Sequence, residues 1–374
     1  MRTFNDYASG RDNNFNLMRL LAASLVLASH SFVLSTGQYT SEPLHALLDV
    51  SIGVIAVDMF FVTSGFLVTG SLLARRDLVA FVAGRALRIY PGLWVALLLA
   101  VLVAGCAFTT LPAGEFFASR GTWDYLRHNA MIPFNVAFEL PGTFEHLPYP
   151  RIVNGSLWML PPEMKMYGLV AVSWLVVALL RTRIAIEWRW LCAAIAIAAV
   201  VADLTLFHRH AQTPLVGWLA RFFFGAALQA FKDVVPASRW LAAGLLFATL
   251  AAAACNPVAF GIAYRLAAPY LFVFAALVPA GAIRRANRLG DYSYGVYIYG
   301  FPVQQSIVFL WPGVHALPLL AVSAAVTFAL AIASWHLIEQ PMLRLKRWFE
   351  PVERDRLRAW AGMRFVKRDA AGPA

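Results

Sequence analysis

Residues 50–91, VSIGVIAVDMFFVTSGFLVTGSLLARRDLVAFVAGRALRIYP, decide the fold. The run through Leu73 is apolar for long enough to cross a bilayer, which takes about 20 residues of helix. One acid, Asp58, interrupts that apolar body. An ionisable group inside a span is costly and by default marks a functional site. Beyond it comes the basic segment RALRIYP, in which Arg85 and Arg88 stand one helical turn apart. Two guanidinium groups so spaced at a membrane face can grip a phosphate through paired, charge-assisted hydrogen bonds. The stretch therefore predicts an anionic cofactor held at one face and chemistry carried out within the membrane.

Working outward, the chain of 374 residues is 60% hydrophobic and only 14% charged. A soluble domain carries about 25% charged residues, so this composition predicts an all-α polytopic membrane protein. Ten spans are expected, near 17–36, 50–73, 91–112, 156–180, 190–207, 214–231, 239–254, 257–281, 290–311 and 317–338, with Pro91 restarting the third helix. Of the 31 Lys and Arg residues, only Arg120, Arg127, Arg151 and Arg209 then fall on outer segments. Arg19, Lys165, Arg221 and Arg265 fall within spans, and all the rest on inner segments. By the positive-inside rule both termini are cytoplasmic. Topology thus accounts for the net charge of +11 without nucleic acid as a partner. The first span is too long for a cleaved signal segment and reads as a retained helix. Cys106, Cys192 and Cys255 show no paired spacing, so neither a disulfide framework nor a metal site is expected. The division expected is a membrane unit over 1–343, with a sizeable outer loop near 113–154, and a basic cytoplasmic tail over 344–374. The tail alternates charge with Trp and Phe, as an interfacial helix on an anionic leaflet does.

Counting inward from the outer face at about 1.5 Å per residue, His30, Asp58, Glu163, Lys165, Arg221 and Arg265 are all expected roughly 10–13 Å deep. The plain reading is that the acids neutralise the cations so that helices can pack. His30 suggests more, because an acid lies at matching depth on the next helix. A His30–Asp58 dyad is expected, the aspartate fixing the imidazole tautomer and raising its basicity as a general base requires. Arg75 and Arg76 read as ordinary basic flanks. Arg19, near the inner end of the first span, either joins Arg85 and Arg88 or snorkels to the interface.

The chain resembles the integral-membrane acyltransferase family 3. The resemblance rests on FNLMRLLAASLVLASHS with His30, GVIAVDMFFVTSGFLVTG with Asp58, RALRIYPGLW with Arg85 and Arg88, and NGSLWMLPPEMKMY with Glu163. It continues through LGDYSYGVYIYGFP, around Tyr294 and Tyr297, to IEQP at Glu339 and Pro341. The resemblance implies a bacterial inner-membrane O-acetyltransferase that takes acetyl-CoA from the cytoplasm and acylates an extracytoplasmic carbohydrate, beside polysaccharide-synthesis machinery. It implies phosphates near Arg85 and Arg88, where Arg19 would join them in the first of its two readings, with the thioester reaching toward His30. Glu163 would orient the acceptor or hold a nearby cation, and Lys165, Arg221, Arg265 or Tyr294 would supply oxyanion or substrate contacts. Gly300 stands where the family commonly has a histidine, so no catalytic role carries over to it. Two other readings use the same buried charges: a proton-coupled transporter, which leaves Arg85 and Arg88 unexplained, and a scaffold or sensor subunit anchored by its tail.

Overall fold

The computed structural model describes residues 2–350 apart from 9, 11, 132–135, 181–186, 210–212 and 289. It is all helical apart from isolated bridges. Among the described residues, seven helices are long and apolar enough to cross a membrane: α1 (Phe15–Thr36), α3 (Ile52–Arg75), α4 (Leu78–Phe108), α7 (Gly155–Leu180), α8 (Trp188–His208), α11 (Pro257–Leu277) and α13 (Ala316–Phe349). Three more, α9 (Pro214–Ala230), α10 (Arg239–Cys255) and α12 (Ser293–Leu310), cover the remaining expected segments with 17, 17 and 18 residues. Short helices α2 (Pro43–Leu48), α5 (Ala113–Ala118) and α6 (Arg120–Ala130) lie in the connections. The part of the expected tail helix beyond residue 350 lies outside the described residues.

The third span differs from its expected form. Helix α3 ends at Arg76, which takes a left-handed conformation (φ 51°), and Asp77 caps α4 by accepting the Ala80 amide at 2.8 Å. Pro91 then lies inside α4 instead of opening it. A helix buried among neighbours tolerates the amide donor that a proline lacks; beside this turn the Tyr294 hydroxyl donates to the Ile89 carbonyl at 2.8 Å. Arg85 and Arg88 therefore belong to α4, not to the helix that carries Asp58.

Helix α1 packs between α3 and α12, and α9 packs between α3 and α8. The α3–α9 contact is set by two glycines. A Cβ on Gly65 would lie 1.9 Å from the Phe222 carbonyl oxygen, and one on Gly225 would lie 2.1 Å from that of Val62. Small residues allow such backbone approach, which is how helices associate where no water drives them together. Gly65→Ala is expected to cost about 1–3 kcal/mol or more through overpacking. Gly168→Ala, where a Cβ meets nothing within 4 Å, is expected to be near neutral. Thermal unfolding in detergent compares the two.

The segment ahead of α7 runs down along α12. Gln305 donates to the carbonyls of Tyr149 and Ile152 at 2.8 Å each, Asn154 donates to that of Ile298 at 2.9 Å, and the Tyr297 hydroxyl donates to that of Ser156 at 2.7 Å. Ile298 is twelve residues from Leu310, the C-terminal end of α12, so Asn154 sits about 18 Å from that end. Irregular backbone at this depth is tolerated because it is buried in protein and its polar groups are satisfied.

Candidate active site

A cavity of about 430 Å³ opens among α1, α3, α8, α9 and α11. His30, on α1, and Asp58, on α3, both line it. Each stands six residues from the same-side end of its helix, about 9 Å in. The His30 ring meets Phe301 edge to face, centroids 5.1 Å apart, and makes no hydrogen bond or ion pair among the described residues. Asp203, Arg221, Tyr264 and Arg265 share the wall, with the phenols of Tyr39 and Tyr297.

Asp58, Asp203, Arg221, Tyr264 and Arg265 form one buried chain. Arg221 Nε donates to Asp58 Oδ2 at 3.2 Å and Arg221 Nη1 to Asp203 Oδ2 at 2.8 Å. Asp203 Oδ2 also lies 3.2 Å from Arg265 Nε, and Arg265 Nη1 donates to the Gly261 carbonyl at 3.0 Å. The Tyr264 hydroxyl donates to Asp58 Oδ2 at 3.0 Å. Two acids and two arginines thus alternate, which is how buried charges are tolerated. The result is a hydrogen-bonded polar wall in the cavity that His30 lines.

A second cluster lies at the opposite ends of the helices. Asp291, ahead of α12, bridges Arg19 Nη1 of α1 at 2.8 Å and Arg88 Nη2 of α4 at 2.7 Å. Arg88 Nη1 reaches Glu339 Oε2 of α13 at 3.2 Å, and Ser334 donates to Glu339 Oε1 at 3.1 Å. Arg85 makes no ion pair among the described residues. Its guanidinium sits 5.8 Å from the Tyr167 ring centroid, in the wall of a largely apolar pocket of about 260 Å³ between α4 and α7. Arg19 and His30 share α1, eleven residues or about 16 Å apart, so one helix joins the two clusters.

The family profile described as an acyltransferase domain matches residues 12–337. The chain belongs to the acyltransferase 3 family. It is 31% identical over 349 residues to an O-acetyl transferase of Shigella phage Sf6, covering 89% of this chain and 96% of that one. It is 29% identical over 385 residues to nodulation protein 10 of Rhizobium leguminosarum bv. viciae, covering 91% and 96%. No solved structure matches it. The protein is thus a multi-pass membrane acyltransferase and a homologue of an O-acetyltransferase, and the transporter and scaffold readings of its buried charges fall away.

In this acyltransferase several expected placements change. His30 and Asp58 share the cavity, but Asp58 Oδ2 is taken by Arg221 and Tyr264, and no hydrogen bond joins the two among the described residues. Glu163 is not level with them. Its Oε1 accepts from Ser64 at 3.1 Å and from the Tyr167 hydroxyl, and Ser64 is six residues, about 9 Å, farther along α3 than Asp58. Glu163 lies off that level because α7 starts inside the protein, where Asn154 is anchored to Ile298. Lys165 sits on an exposed face of α7, away from the cavity. Tyr294 lies beside Arg88, 5.7 Å from ring centroid to guanidinium, not near His30. Arg221 and Arg265 do reach the cavity, and Arg19 does join Arg88.

The sequence reading assigned nothing to Asp203, Tyr264 or Asp291, and used Glu339 only as part of a motif. Asp203 carried a usable signal, since it is a lone acid in the apolar run VVADLTLF and satisfies the criterion that singled out Asp58.

Proposed function

We propose that the protein moves an acyl group, acetyl in the first instance, from cytoplasmic acyl-CoA to a hydroxyl of an extracytoplasmic or lipid-linked carbohydrate. The observation that carries this reading is the pairing of a basic cluster at one end of α1 with His30, in a cavity that opens from the other end. An extended pantetheine arm can bridge the separation of about 16 Å. Arg85 is the guanidinium best able to receive a CoA phosphate, because no carboxylate among the described residues pairs with it directly and Glu163 acts on it only across Tyr167. Arg88 and Arg19 would complete the grip.

His30 acts as the general base. Its ring takes the proton of the acceptor hydroxyl as that oxygen attacks the thioester carbonyl. Collapse of the tetrahedral intermediate breaks the C–S bond, and the imidazolium returns the proton to the departing thiolate. The developing oxyanion is met by the cationic wall, Arg221 or Arg265. Asp58 serves the base through the cavity's field and by anchoring Arg221, in place of a closed dyad. Glu163 holds Tyr167 under Arg85, the cation-holding alternative of its two expected roles. The basic residues at the Arg88 end favour that end as cytoplasmic, with ten spans in a bacterial inner membrane.

Purified protein in nanodiscs with labelled acetyl-CoA and surface glycan tests this reading, with label expected to pass to the glycan. Arg85→Met is expected to raise KM for acetyl-CoA about ten- to a hundredfold, the value of one lost hydrogen bond to a charged group. Its kcat should change little. An unchanged KM would remove Arg85 from the donor site.

A further inference from the structure

One charge that the site does not absorb is Lys165. It lies on an exposed face of α7 and makes no hydrogen bond or ion pair among the described residues. Its depth follows from Glu163, which accepts from Ser64 at 3.1 Å. Ser64 stands twelve residues from Ile52 and eleven from Arg75, the two ends of α3, so Glu163 lies at mid-span. Lys165 is two residues, about 3 Å, farther along α7. The apolar core of a bilayer extends about 15 Å to either side of its middle, farther than four methylenes can snorkel. An ammonium left in hydrocarbon is costly and calls for a partner.

The rest of that face extends the pattern. Leu169, Val172, Val176 and Leu179 follow Lys165 at spacings of four, three, four and three residues, and all four are exposed. This alternation is the seam by which one helix packs along another. Helix α7 is also the least enclosed of the seven long spans.

We propose that this seam docks a transmembrane helix of a second membrane protein, whose Asp or Glu at mid-span pairs with Lys165. A lipid phosphate does not fit, because it stays at the bilayer surface. Nor does a second copy of this chain. A symmetric pairing through α7 would bring two lysines together. The acids that its described spans carry, Asp58, Glu163, Asp203 and Glu339, are engaged inside the fold. The proposal holds whichever acceptor the enzyme acylates.

The test places the photocrosslinking residue p-benzoylphenylalanine at Val172 of the full chain in cells. Val201 of α8, 57% exposed, is the control position. Ultraviolet light is expected to give a protein adduct at 172 at least tenfold above any at 201, mapped to a span that holds an Asp or Glu. Lys165→Glu is expected to lower the yield at least tenfold, and exchanging the partner's acid for lysine to restore it. Lys165→Met, which keeps the length without adding a charge, is expected to lower it as well. Thermal unfolding in detergent should not change in either variant, because the side chain is exposed, so a lost adduct reports the pairing and not misfolding. Adducts only with lipid or with a second copy would overturn the proposal. So would a partner span without an acid, a yield indifferent to both variants, or no recovery on charge exchange.

Discussion

Replacing His30 by alanine is expected to slow acyl transfer by about 10²–10⁴-fold, the usual contribution of a positioned general base. The fold should hardly notice. His30 makes no hydrogen bond among the described residues and touches Phe301 only edge to face, so little packing is lost. Donor affinity should also persist, because Arg19, Arg85 and Arg88 lie at the opposite end of α1. Single-turnover rates, thermal unfolding and acetyl-CoA binding measured on one preparation separate these effects. A loss of rate without loss of fold or binding is the expected pattern. Full activity in His30→Ala would remove the base from the mechanism.

The second large effect is expected at Arg221. It is 4% exposed and holds Asp58 and Asp203 on its Nε and Nη1. Arg221→Met would leave two carboxylates buried without their shared cation. Breaking a buried ion pair in this way costs about 3–5 kcal/mol, and unfolding in detergent should register it. Neutralising the partners as well, in Arg221→Met with Asp58→Asn and Asp203→Asn, should recover part of the stability. That triple variant should remain inactive, because the cavity then lacks the cation and the field around His30. A stable triple variant with normal transfer would show that the chain of charges serves packing alone.

How much of this was legible in the sequence depended on what each residue had to report. Membrane class and helix positions were readable because about 20 apolar residues have few alternatives to a span. The cavity's charges were partly readable, since Asp58, Arg221 and Arg265 are anomalies in apolar helices. Their partners were not, because spacing along one helix says nothing about which helix stands opposite. Asp58 was therefore assigned to His30, when Arg221 and Tyr264 compete for the same oxygen. Glu163 and Lys165 were misplaced for a different reason. A depth count assumes that every span begins at the membrane surface, and α7 begins beside Ile298 in the protein's interior. Pro91 misled in the same local way, since a proline that would open a helix in water can be carried inside one buried among neighbouring helices. At the Arg88 ends of the helices, the cations were found and the acids were passed over. Asp291 and Glu339 sit in motifs that resemble a family, and their role as counter-ions to Arg88 emerges only when α4, α12 and α13 are brought together.

The most direct test of the central claim is the O-acetyl content of surface polysaccharide, read by mass spectrometry from cells lacking the protein, carrying it, or carrying His30→Ala at equal membrane abundance. Acetyl ester is expected on the glycan with the wild-type protein alone, and none above background in the other two. Equal acetylation with wild type and His30→Ala, or no difference between cells with and without the protein, would contradict it.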